Sequence, residues 1–316
     1  MNASEAPQAE PFLLIDEDRC LGCGRCVELC PSRALRVIED KARVVAPSCI
    51  GCDHCAAACP TEAIRVNLIA PEALHFATFA QDERPLAPGA PFDADGSTIG
   101  QLARLMRSRR SCRQFKDERI PKPLLQDLVK IGATAPSGTN SQRWTFTVLP
   151  TRAAVESAAQ AISVFFRKLN RMAEKPWLCA AMRVLGKPEL AEYRREYYAS
   201  VQAALEEYER NGTDKLFHGA PAAILVGSKP GASCPMEDAL LATQNILLGA
   251  HALGLGSCLI GYAVAAMHED KTIQLGLDIP KDEKIHAVIA LGYPNQGWER
   301  LTGRKEIETR WIAPNK

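Results

Sequence analysis

Cys20, Cys23, Cys26 and Cys30 are followed by Pro31, and Cys49, Cys52, Cys55 and Cys59 are followed by Pro60. Each run reads C-x2-C-x2-C-x3-C-P, and the pair takes up eight of the chain's 12 cysteines. Thiolates are soft ligands that suit iron–sulfur clusters. Three cysteines at three-residue steps wrap a tight loop around one face of a cubane. Gly22 and Gly51 sit inside these loops, where backbone must pass close to inorganic sulfide. The fourth cysteine of each run is expected to ligate the other run's cluster. That assigns Cys20, Cys23, Cys26 and Cys59 to one 4Fe–4S cluster, and Cys49, Cys52, Cys55 and Cys30 to a second. Pro31 and Pro60 end the loops and set the chain direction.

The similarity runs past the cysteines. The stretch CLGCGRCVELCPSRALRV (20–37) aligns without a gap with CIGCDHCAAACPTEAIRV (49–66). Self-similarity of this kind implies two related units packed together, and the spacing is that of bacterial-type ferredoxins. Structural zinc needs one set of four ligands, not two runs closed by proline. A thiol–disulfide motif needs one CxxC pair. Disulfides fit poorly with an N-terminal stretch that has neither a basic n-region nor an apolar h-region. Free thiolates and clusters point to a reducing cytoplasm.

At 316 residues the chain exceeds one small cluster module, and two domains are expected. A net charge of +1 offers no electrostatic basis for nucleic acid or membrane partners. A hydrophobic content of 47% suffices for a substantial second core. The expected layout is a small ferredoxin-like α+β domain at 1–83, a linker at 84–97 and a larger domain at 98–316. PFLLI (11–15) and ARVVA (42–46) are strands leading into the cysteine loops. RPLAPGAPFDADGS (84–97) has no period, and Ser97 is placed to cap the helix that follows. Helices are expected over 123–135, over much of 152–211 and over 236–256. Strands are expected at 144–149, 222–228 and 284–294. Few strands among many helices indicate an α+β or three-layer arrangement. No G-x-G-x-x-G follows a strand, so a dinucleotide fingerprint is absent.

The larger domain carries four chemistry-bearing segments. RRSCRQF (109–115) gathers guanidinium forks and a hydroxyl, a good phosphate grip. APSGTNSQRWTF (135–146) is a loop of small residues where amides approach a planar ligand, with Asn140 and Gln142 as donors and acceptors. LGLGSCLIGY (253–262) runs from a helix into a short strand. ALGYPNQGWERLTGRK (290–305) ends a strand and adds basic residues.

In this order the segments resemble the FMN-dependent nitroreductase family over about residues 98 to 316, and the whole chain resembles a ferredoxin–nitroreductase fusion. The resemblance implies a flavin-binding α+β sandwich and an intertwined homodimer with FMN at its interface. It implies phosphate contacts from Arg109, Ser111 and Arg113, with Arg110 on the ribityl or pyrimidine side. Pro136, Ser137, Gly138 and Asn140 match the loop that reaches the flavin from the partner subunit. Ile260 and Gly261 match the segment whose amide lies near flavin N5, and Arg304 and Lys305 the basic pair that completes the phosphate site. The implied activity is reduction of a small nitro, quinone or enone acceptor, with NAD(P)H or an external ferredoxin as donor. No acid–base pair stands out as catalytic. A bare electron-transfer module, or a dehalogenating or flavin-modifying enzyme of the same fold, is the alternative. The stretch 152–211 is a helical insertion, either a lid or part of the dimer interface. Cys112, Cys179, Cys234 and Cys258 lack ligand spacing and are read as buried structural thiols. His251 is read as a core or interface histidine.

Overall fold

The computed structural model describes residues 12–46, 49–70, 76–79, 98–295 and 307–312. The expected linker at 84–97, the Ser97 cap, and Arg304 and Lys305 lie outside the described residues. The chain divides into two compact units. The first comprises Met1–His75, Pro136–Arg143 and Ala232–Cys234, and the second Phe76–Ala135, Trp144–Gly231 and Pro235–Lys316.

In the first unit the order is β1 (Leu13–Ile15), α1 (Arg25–Glu28), β2 (Leu35–Ile38), β3 (Lys41–Val44), α2 (His54–Ala57) and β4 (Ile64–Val66). β1 pairs antiparallel with β4, and β2 with β3. Leu35 faces Val44 as Ile64 faces Ile15, so the sequence repeat is also a structural one. Leu13, Leu35, Ala63, Ile64 and Val66 are buried together with Cys20, Cys26 and Cys55. So small an apolar core leans on its ligands for stability.

The second unit holds α3 (Thr98–Ser108), α4 (Lys122–Ala133), β5 (Trp144–Leu149), α5 (Arg152–Ala173), α6 (Pro176–Val184), α7 (Glu189–Glu196) and α8 (Tyr198–Asn211). β6 (Ala222–Ser228), α9 (Pro235–Ala252), β7 (Gly256–Leu259), α10 (Gly261–Glu269), α11 (Lys271–Leu275) and β8 (Lys284–Gly292) follow. The strands form an antiparallel sheet in the order β5-β6-β8-β7. Side chains alternate across a strand. Ala223 and Leu225 of β6 therefore join one core with Val155 and Ile162 of α5 and Ala263 and Met267 of α10. Ala222, Ile224 and Val226 join another with Leu125 and Leu128 of α4 and Ala242 and Ile246 of α9. β6 is buried along its whole length, as a strand covered on both faces must be.

The insertion 152–211 is four helices with packing of their own. Thr151 caps α5 by accepting from the Ala154 amide at 3.3 Å. Buried Asn170 of α5 donates to Gln202 of α8 at 2.8 Å and accepts from the Tyr193 hydroxyl of α7 at 2.6 Å. Asp127 of α4 is fully buried and accepts from the Ala77 amide at 3.1 Å, the Thr78 amide at 2.8 Å and the Thr78 hydroxyl at 2.6 Å. These donors hold its carboxyl below the usual range although burial pushes the other way.

Candidate functional site

The cysteines surround two cavities in the first unit. One is lined by Cys20, Cys23, Cys26 and Cys59, the other by Cys30, Cys49, Cys52 and Cys55. Each cavity thus takes three cysteines from one run and the fourth from the other. Among the described residues no three His, Cys, Asp or Glu side chains stand where they could share a single metal ion. Thiols spread around a cavity suit the corners of a cubane better than one zinc ion. Backbone amides point at sulfur: Ala34 at Cys30 (3.3 Å), Ala63 at Cys59 (3.2 Å), Ala42 at Cys20 (3.3 Å) and Gly51 at Cys49 (3.4 Å). Such donors offset the negative charge of a thiolate-bound cluster. Burial pushes the Cys55 thiol up to about 11 and raises Cys26. At Cys59 burial is outweighed by the Ala63 and Thr61 hydrogen bonds, and the thiol falls below its ordinary range.

In the second unit, the residues after α3 run beside β7. Ser111 bridges Ser257 in parallel, and the Cys112 amide donates to the Ser257 carbonyl at 2.9 Å. Ser257 Oγ is buried and has no hydrogen-bond partner among the described residues. Arg113 lies near His218 and Cys258, and Arg109 near His251 and Cys258, since each acts electrostatically on those groups. Burial and then Arg113 lower His218, and burial and then Arg109 lower His251, so both rings are neutral near pH 7. A buried hydroxyl without a partner, on a strand bridged by a segment that carries two arginines, offers donors of the kind a phosphate monoester takes. Arg110 donates to the carbonyl of Arg107 at 3.2 Å.

β7 leads straight into Ile260 and Gly261. Ile260 is buried and its amide donates to the Val288 carbonyl at 2.8 Å. Gly261 opens α10, and among the described residues beyond its chain neighbours and its own helix backbone no atom stands within 4 Å of where a Cβ would lie. The adjacent Tyr262 meets Phe166 of α5 edge-on at 5.7 Å and Tyr197 at 6.2 Å. Tyr262 and Tyr197 remain 41% and 45% exposed, so the insertion lends an open aromatic wall to the start of α10.

Pro136, Ser137, Gly138 and Asn140 belong to the first unit, although α4 and β5 on either side of them in sequence belong to the second. Asn140 donates from Nδ2 to the carbonyls of Ile50 and Gly51, both at 3.0 Å. The Thr139 and Ser233 hydroxyls are 2.6 Å apart, and Gly138 lies against Cys234. Cys234 is exposed, which corrects the buried reading for this thiol; Cys112, Cys179 and Cys258 are buried.

Ser257, His218 and Tyr262 had no signal in spacing. A hydroxyl inside an apolar strand, S-C-L-I, was the one available hint at Ser257.

The two units thus define an iron–sulfur module and an α+β domain whose edge strand carries a buried, unpartnered hydroxyl. Residues 13–66 match the 4Fe-4S dicluster domain and residues 106–293 the nitroreductase family. The chain belongs to the nitroreductase family. An iodotyrosine deiodinase of Thermotoga neapolitana is 26% identical over 214 residues, 66% of this chain and 95% of that protein. A 4-nitrobenzoate reductase of Nocardioides is 28% identical over 206 residues, 60% of this chain and 78% of that protein. The solved FMN-bound nitroreductase of Bacteroides fragilis is 22% identical, with a TM-score of 0.48 over 68% of this chain and 99% of that one. Among the described residues no helix is long and apolar enough to cross a membrane.

Proposed function

We propose that the chain is an iron–sulfur flavoprotein oxidoreductase in which electrons pass between two 4Fe–4S clusters and FMN and reach a small acceptor of nitro, quinone or enone type. The observation that carries this reading is the orphan Ser257 hydroxyl on the strand that Ser111 bridges, with Arg109 and Arg113 within two residues of Ser111 in sequence, in a chain that also holds the two cysteine cavities. When bound, the clusters supply one-electron steps and the flavin two-electron chemistry. Arg109, Arg113, Ser111 and Ser257 would hold the phosphate. The open backbone at Gly261 would lie against the ring, and the Tyr262–Tyr197 wall suits a planar acceptor. Neutral His218 and His251 would leave the arginines as the local cations. NAD(P)H or reduced ferredoxin would be the donor, a homodimer the active unit and the cytoplasm its setting.

Reductive dehalogenation of a halophenol is the second reading. It is favoured by the relatives named iodotyrosine deiodinase, including one of Caenorhabditis elegans, named a homolog of iodotyrosine dehalogenase 1, that is 48% identical over 44 residues.

The test is anaerobic iron, sulfide and flavin quantitation with stopped-flow reduction by NADH, NADPH and reduced ferredoxin, then turnover with nitroarene, quinone, enone and halophenol. Absence of FMN would sink the proposal, and flavin reduction without turnover on any acceptor would favour a bare electron-transfer module. Arg113→Ala should weaken FMN binding at least tenfold, on the order of one lost charge-assisted hydrogen bond, with iron content unchanged. Unaltered flavin affinity would remove Arg113 from the phosphate site.

A further inference from the structure

We infer that Asn140 is a positioning residue for the second cysteine loop, and that its amide raises the reduction potential of the cluster held by Cys30, Cys49, Cys52 and Cys55. The inference rests on the reading of those four cysteines as the ligands of one cluster.

The argument starts from one peptide unit. The carbonyl of Ile50 and the amide of Gly51 belong to the same planar trans group and point in opposite directions. Asn140 Nδ2 donates to that carbonyl at 3.0 Å, and the Gly51 amide approaches Cys49 Sγ at 3.4 Å. The result is a chain of donors ending on sulfur: side-chain amide, peptide carbonyl, peptide amide, thiolate. Hydrogen bonds in series polarise one another. Asn140 also donates to the Gly51 carbonyl at 3.0 Å, which fixes the next peptide in the loop. A donor on a ligand sulfur favours the reduced, more negative cluster and so raises its potential.

Asn140 is itself held in place. Gln142 Nε2 donates to Asn140 Oδ1 at 3.2 Å, so the carboxamide is oriented with its nitrogen toward the loop. The Gln142 amide donates to Ser137 Oγ at 2.9 Å. Thr139, Asn140 and Gln142 all have left-handed backbone, with φ of 52, 54 and 46°. Such backbone persists where its surroundings over-determine it. For a β-branched threonine the conformation is a true outlier.

The first loop is held differently. Lys41 Nζ donates to the carbonyls of Glu17 (2.7 Å) and Cys20 (2.8 Å), and the Ala42 amide donates to Cys20 Sγ. Lys41 faces Ile38 across β2 and β3. The matching position in the other half faces Asn67 and is Phe12, whose carbonyl accepts from the Asn67 amide at 3.0 Å. Phenylalanine has no side-chain donor, and Asn140 supplies one from a segment outside the repeat.

The redox event concerned is the gain of one electron by the second cluster, with no bond made or broken and no proton required. The test is an EPR-monitored potentiometric titration of the full anaerobically reconstituted chain, with dithionite as reductant and dye mediators. Asn140→Ala and Asn140→Asp are compared with the parent and with Asn140→Gln, which keeps a donor. Cys23→Ala versions isolate the second cluster's signal. Loss of the donation to the Ile50 carbonyl, the one in series with the sulfur, should lower the reduction equilibrium constant of that cluster by up to about tenfold, which is about 59 mV for one electron. The other cluster's potential and the iron content should not move, and Asn140→Gln should recover part of the shift. Unshifted potentials at full iron content would overturn the inference, as would equal shifts of both clusters. Loss of iron from the second site in both Asn140→Ala and Asn140→Asp would overturn it in favour of cluster retention. A parent chain without two 4Fe–4S signals would instead refute the cluster reading on which it rests.

Discussion

The loop from Cys20 to Cys30 is held from within the duplicated module, through Lys41 and the Ala42 amide of the strand that leads into the second loop. The loop from Cys49 to Cys59 has Phe12 at the position matching Lys41 and takes its side-chain donor from Asn140, far along the chain. The fourth cysteines, by contrast, are treated alike, with Ala34 donating to Cys30 as Ala63 does to Cys59. A duplicated ligand pattern thus keeps its first shell while its outer shell diverges. Outer-shell donors tune a metal site more freely than ligands do, so two clusters of one design are free to differ in potential.

The glycine pair offers the largest test of that asymmetry. Gly22 and Gly51 both have left-handed backbone, with φ of 66 and 64°. A Cβ on Gly22 would stand 2.2 Å from the Asp40 carbonyl oxygen, a backbone atom that cannot step aside. A Cβ on Gly51 would stand 3.1 Å from Cδ1 of Leu68, a side chain 61% exposed. Gly22→Ala should therefore abolish the first cluster and cut iron by about half. Gly51→Ala should keep both clusters and lose only the left-handed penalty of roughly 1–2 kcal/mol. Equal iron loss in the two variants, measured by colorimetric assay, would show that the loops are equally constrained.

Lys41→Met comes next. It keeps the length of the side chain and removes the ammonium that two carbonyls share. Outer-shell losses typically cost 10–100-fold in metal affinity, so iron release to a chelator from the first site should speed up by about that factor. The second site should release at the parent rate. Equal acceleration at both sites would mean that Lys41 acts on the module as a whole.

What the sequence exposes and what it hides follow the same division. The eight cysteines are legible because their spacing is that of a cubane-binding run, and they line two cavities in the crossed grouping that spacing predicts. The strand β6 and the helix α9 were legible too, the one from a short, mostly apolar run and the other from a long apolar one, though the antiparallel pairing was not. The segment Pro136–Arg143 was legible as a loop, but not as part of the cysteine module, because that placement depends on hydrogen bonds between residues about 90 positions apart. Ser257 was hidden for a related reason. A single hydroxyl in a strand means nothing until its orphan state and the neighbouring Ser111 are seen. The insertion 152–211 could be read as helical, yet its wall of Tyr197 and Phe166 on Tyr262 appears only once the helices are packed.

The smallest expected effect separates the two units by acid. His218, His251 and His286 of the second unit are all lowered, chiefly by burial, with Arg113, Arg109 and Lys284 adding to the effect in turn. His286 is the extra residue where β8 slips register against β6, and its Nε2 lies 2.8 Å from Ser228 Oγ. In the unfolded chain these rings take up protons near the ordinary value of about 6.5. In the folded unit they do so only at lower pH, so between the two values the unfolded state binds more protons. Stability then rises with pH through this window and falls on acidification. Calorimetry should show the transition of the second unit moving down by a few degrees between about pH 7.5 and about pH 5.5. Replacing His286 by glutamine keeps a partner for Ser228 without the titration and should flatten part of that slope. A slope unchanged in that variant would remove His286 from the acid sensitivity and leave it to His218 and His251.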